Sequence, residues 1–156
     1  MLNAFSQQAF GVQGWPSGIV VQVLSPNSDT SISDWTNQTG SGTNIYLSID
    51  EQPYSDADYI QSPAPPNSSV ARFSLSDPTA GTALGDPVTI SYRFAAGAAG
   101  YTLTVSLKQG TTLITSWVHS GAGITSSFQT ATQTLTSTDL AAITDFTNLF
   151  IEFQAS

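Results

Sequence analysis

Short runs in which apolar side chains fill every second position recur along this chain. Each is closed by Gly, Pro, Asn or Asp, a pattern that favours half-buried strands joined by turns. The cleanest run, 101–109, sets Tyr101, Leu103, Val105 and Leu107 on one face and Thr and Ser on the other. Gly110 and Thr111 then read as a tight turn into a second strand over 112–119, which predicts a hairpin. Further strands are expected over 15–24, with Ile19, Val20 and Val21 at its middle and Ser25, Pro26 and Asn27 ending it. Others are expected over 44–49, with Ile45, Leu47 and Ile49 inward, over 69–75, and over 87–94, where Val88, Ile90, Tyr92 and Phe94 share a side. The last two fall over 128–135 and 149–153, and between them Ser137, Thr138 and Asp139 precede an apolar stripe that predicts one short helix.

A chain of 156 residues is of single-domain size. With no Cys to staple it, the core must hold by packing. About eight short strands at this spacing predict an all-β fold, an antiparallel two-sheet sandwich of jelly-roll-like type with the short helix near the C-terminus. Residues 1–14 show no convincing period and are expected to form an extended N-terminal arm, leaving 15–156 as one β-sandwich domain. The stretch 52–68 carries Pro53, Pro63, Pro65 and Pro66 and should be an ordered or functional loop. The small-residue stretches 81–85 and 95–100 are expected to be loops that move or admit close approach by another backbone.

Chemistry is thinly supplied. There is one His, no Cys, two Arg and one Lys, against 42 Ser and Thr, which leaves few nucleophile activators, bases or soft metal ligands. The expectation is a non-enzymatic binding or assembly module with no cofactor. A net charge of −8 disfavours nucleic acid, and nothing basic and amphipathic or long and apolar enough suggests a membrane partner. The N-terminus lacks the pattern of a secretory signal.

Several constellations invite a sharper reading. Asp50, Glu51, Asp56 and Asp58 could converge on Ca²⁺, although their spacing is not that of an EF-hand, and an acidic rim is the simpler reading, so no metal site is expected. The same carboxylates could be imagined as a glycosidase pair. His119 lies near Ser116 and Ser120, but 22 Ser make such proximity unremarkable, and a surface imidazole at a strand end is expected instead. Arg72 and Arg93 on strands should each find a bidentate carboxylate, Glu152 or an Asp, and Lys108 reads as a solvated guard against edge pairing. Trp35, Tyr46, Asp50 and Tyr59 could form a sugar-stacking platform, or their rings could complete the core.

From about Trp35 onward the chain resembles small β-sandwich structural proteins of tailed bacteriophages, of the capsid cement or decoration type. The resemblance rests on Trp35, the runs 46–51 (YLSIDE), 58–60 (DYI), 75–78 (LSDP), 91–93 (SYR), 107–110 (LKQG), 130–135 (TATQTL) and 149–153 (LFIEF). It implies a virion protein on the capsid exterior, made in the host cytoplasm, that binds the major capsid protein, copies of itself, or both. By analogy with cement on local threefold axes, a homo-oligomer such as a trimer is implied. Under this reading the arm would bridge subunits through Phe5, Phe10, Gln13 and Trp15. The alternative is a carbohydrate-binding module of a phage tail or fibre that contacts host glycans through Trp35, Tyr46, Asp50 and Tyr59.

Overall fold

The computed structural model describes residues 2–13, 19–78, 88–97 and 99–156, with side chains described from residue 23 onward. The eleven described strands are β1 (Leu2–Gln13), β2 (Ile19–Leu24), β3 (Pro26–Ser31), β4 (Thr36–Asn37), β5 (Ile60–Gln61), β6 (Val70–Leu75), β7 (Val88–Ala96), β8 (Thr102–Gln109), β9 (Thr112–Ser120), β10 (Gln129–Thr134) and β11 (Leu149–Ala155), with one helix, α1 (Ser137–Ala142). They form an antiparallel two-sheet sandwich. One sheet runs β10-β7-β1-β5-β4, with β2 also paired to β1, and the other runs β3-β6-β11-β8-β9.

Period-two patterning builds the core directly. Val88, Ile90, Tyr92 and Phe94 are buried on β7, facing Ala71, Phe73 and Leu75 of β6, Leu103, Val105 and Leu107 of β8, and Ile151 and Phe153 of β11. The Phe73 and Phe153 rings lie 6.2 Å apart and tilted, an arrangement aromatic pairs favour. The hairpin forms as its sequence predicts: β8 pairs with β9 across Gly110, whose φ of 55° is left-handed and easily adopted by glycine. One register shift interrupts that ladder, between Leu107 and Lys108.

Three expectations are corrected. The segment expected as an arm is a strand within the sheet: β1 pairs with β7 from Leu2↔Ala96 to Phe10↔Val88, and on its other side with β2 and β5. The expected strand over 44–49 is a 3-10 helix, Ile45–Ser48. With about three residues per turn, Ile45 and Ser48 fall on the buried face and Leu47 is left 52% exposed. β2 ends at Leu24 as expected, and Pro26 then opens β3, a sheet-edge position where a missing N–H costs no ladder bond. Ala95 and Ala96 are not loop residues: they close β7 and are buried. The stretch 81–85 lies outside the described residues.

The short helix is set by its cap. Thr136, one residue before the expected hydroxyl, accepts from the Asp139 N–H, and the Asp139 carboxylate accepts from the Thr136 N–H, a reciprocal capping box.

Candidate functional site

The segment between the 3-10 helix and β5 gathers most of the chemistry that the sequence singles out. Its entry is fixed by Asp29 of β3, whose two carboxylate oxygens accept from the Ile45 and Tyr46 N–H groups at 3.0 and 2.9 Å. This satisfies donors that the start of a helix leaves without partners. No local sequence signal marks Asp29 for that role, because its partners lie 16 and 17 residues on.

The far side of the loop is fixed by Arg93, which points outward from β7. Its Nε and Nη2 donate to the two Asp56 oxygens at 2.8 and 2.7 Å, and Nη1 donates to the Thr130 hydroxyl of β10 at 2.9 Å. The guanidinium also lies 4.8 Å from the Tyr54 ring centroid and 5.9 Å from that of Phe128, and Phe128 in turn meets Tyr59 at 6.0 Å. The hydrogen bond to Asp56 is the main reason the Arg93 pKa is raised. Because Asp56 is half exposed, the pair contributes about 1 kcal/mol at most. Its larger effect is geometric: a planar fork holds the loop against the sheet in one orientation.

In the same segment Asp50, Glu51 and Asp58 interact with one another. Burial, followed by the hydrogen bond that protonated Glu51 donates to Asp58 and by the charge of Asp58, pushes the Glu51 carboxyl up to about 7. Burial also raises Asp50, with Asp58 adding to the effect. One Asp58 oxygen, Oδ1, is buried with no donor among the described residues. Glu51 in its protonated form relieves the repulsion between these carboxyl groups. No set of three or more His, Asp or Glu among the described residues is gathered as metal ligands.

This pair has a measurable signature. The folded-state pKa of Glu51 lies above its ordinary value of 4.5. Its contribution to stability is therefore fully present below about 4.5 and is lost as the pH rises through about 7. His119 runs the other way: burial lowers its pKa from 6.5, so its contribution is present above 6.5 and is lost on acidification. The difference in melting temperature between wild type and Glu51→Gln isolates the first group. The variant is expected to gain stability relative to wild type between pH 5 and pH 8, and a flat difference across that window would refute the assignment.

Other residues singled out by sequence have structural roles. Trp35 is only 1% exposed and its ring N–H donates to the Ser69 carbonyl at 3.1 Å, so it belongs to the core and cannot stack on a sugar. Tyr46 and Tyr59 are half-buried against the core, and Asp50 is half-buried. The structure therefore does not assemble Trp35, Tyr46, Asp50 and Tyr59 into one open platform. Tyr59 instead joins Tyr54, Phe128 and Arg93, of which Tyr54 is 38% exposed. Phe5, Phe10 and Gln13 lie on β1 with side chains outside the described residues, and Trp15 lies outside them altogether.

His119 is not a free surface imidazole. Its ring lies 4.3 Å from Phe94, centroid to centroid, and its Nε2 is 2.6 Å from the Tyr92 hydroxyl. Gln133 of β10 donates to that same hydroxyl oxygen at 3.3 Å, which leaves the Tyr92 O–H to donate to a neutral imidazole. Ser116 and Ser120 are exposed on the opposite face of β9 from His119, so no triad forms there. Lys108 is not a solvated guard: its Nζ meets the Glu152 carboxylate at 2.7 Å. That leaves Arg72, expected on Glu152 or an Asp, to stack 4.1 Å from the Phe150 ring centroid and to donate to the Gly110 carbonyl.

No family model, curated protein or solved structure matches the chain.

Proposed function

We propose that this chain is a non-enzymatic structural subunit of a phage virion, a capsid cement or decoration protein that binds the major capsid protein on the shell exterior. The observation that carries the reading is the Tyr54–Arg93–Phe128–Tyr59 cluster. It is a partly exposed group of aromatic rings around an arginine, held in place before any partner arrives by the Asp56 fork and the Thr130 hydroxyl. Tyr and Arg in a fixed setting are the side chains that dominate protein–protein contacts, because little conformational freedom remains to be lost on docking. Hydroxyl-bearing strands around it suit close apposition for the same reason. The resemblance to phage structural proteins supplies the virion context.

Exposed Tyr54 beside carboxylates also favours a second reading, a glycan-binding module of a tail or fibre, with Tyr54 and Tyr59 in place of Trp35 as the stacking rings. Labelling of purified particles with an antibody to this chain separates the two. Signal over the shell supports cement, signal confined to the tail with glycan binding lost in Tyr54→Ala supports the module, and absence from particles overturns both.

A further inference from the structure

From Gln109 to Thr138 the chain contains no Lys, Arg, Asp or Glu. That stretch holds β9 and β10, the terminal strands of the two sheets. His119 of β9 and Gln133 of β10 both reach the Tyr92 hydroxyl, so the two strands lie along the same flank of the sandwich. Beyond the register shift, residues 115–120 of β9 run regularly against β8, from Leu107↔Thr115 to Thr102↔Ser120. Ser116, Val118 and Ser120 are exposed, while Trp117 and His119 are half-buried between them. Among the described residues nothing pairs with the outer edge of β9.

The opposite flank is differently equipped. β3 opens with Pro26 and carries two register shifts, and β4 is two residues long. Proline, irregularity and brevity are the usual means of keeping a sheet edge from recruiting another strand. Over 115–120, β9 has no Pro, no charge and no further irregularity.

We propose that two copies of this chain associate through β9, each lying antiparallel to the other about a dyad perpendicular to the sheet. The occupant is a second copy for reasons of charge and symmetry. A protein of net charge −8 repels itself, and neither β9 nor β10 brings a carboxylate of its own to the junction. Antiparallel pairing about a dyad is self-complementary. It sets residues of the same face opposite one another, so Ser116, Val118 and Ser120 meet their own kind. The outward N–H and C=O groups of β9 gain partners, and Val118, 64% exposed in the single chain, is covered. This association stands apart from the virion reading and does not depend on it.

Sedimentation equilibrium of the full chain tests it. A dimer is expected, and a monomer throughout the accessible concentration range overturns the proposal. Val118→Lys and Val118→Glu are each expected to weaken the dimer by about 10-fold or more, since like charges then face each other across the junction. An equimolar mixture of the two is expected to restore it. A dimer indifferent to both substitutions overturns the proposal. Hydrogen exchange on the unaltered protein gives a readout independent of any variant. Amides over 115–120 are expected to be protected more strongly in the dimer than after dilution to monomer, while those of β3 stay unchanged, and equal protection of 115–120 in the two states counts against it.

Discussion

Deleting residues 2–13 is expected to abolish cooperative folding, leaving a chain without a thermal transition in near-ultraviolet circular dichroism. The reason lies in the sheet order. β1 pairs with β7 over nine register positions and with β2 and β5 on its other side. Its removal severs β7 and β10 from β5 and β4 and leaves β2 with no partner in its sheet. Each backbone hydrogen bond contributes only about 0.5–1.5 kcal/mol net, but three ladders are lost together, against a total stability of about 5–15 kcal/mol for a typical domain. An arm that merely reached toward a neighbour would give the opposite result, a truncated protein with an unchanged melting temperature.

The second large effect is at Trp35. Trp35→Ala is expected to destabilise the protein by about 3–5 kcal/mol, because it removes a large fully buried side chain and leaves a cavity. For a chain of this size the melting temperature should fall by roughly 2–4 °C per kcal/mol. Trp35→Phe keeps most of the volume but leaves the Ser69 carbonyl without its donor, at a cost of about 1–3 kcal/mol. Equilibrium denaturation of both variants checks the order. If Trp35→Ala left stability unchanged while abolishing binding to a sugar, the buried placement would be refuted.

Trp35 also shows where a single sequence stops being informative. An aromatic among polar neighbours is equally suited to a core and to a stacking surface, and only the chain path that brings Ser69 to its ring N–H decides between them. Where burial follows local alternation the reading succeeds: Val88, Ile90, Tyr92 and Phe94 face inward on β7, and Leu103, Val105 and Leu107 do so on β8. At 45–49 the apolar spacing fits a strand, yet Asp29 draws the backbone into a helical turn by accepting from Ile45 and Tyr46, an influence from a distant strand. β1 carries no clean period, since its place follows from hydrogen bonding to β7 and not from a visible apolar face. At the site, a bidentate carboxylate for Arg93 was legible in kind from the scarcity of cations among many acids. That Asp56 supplies it, with Tyr54 and Phe128 alongside, depends on how the loop folds back over the sheet.

The two strands nearest the ends of this sequence sit inside their sheets: β1 between β7 and β5, and β11 between β6 and β8. During synthesis, one sheet therefore waits for β7 to meet a strand made long before, and the other cannot close until residues 149–155 have emerged. Such distant pairings make assembly slow and expose unpaired edges in the interim. Nascent chains of this protein must then stay soluble on hydroxyls and net charge until residues 149–155 have been made, a demand that the abundance of Ser and Thr is well suited to meet.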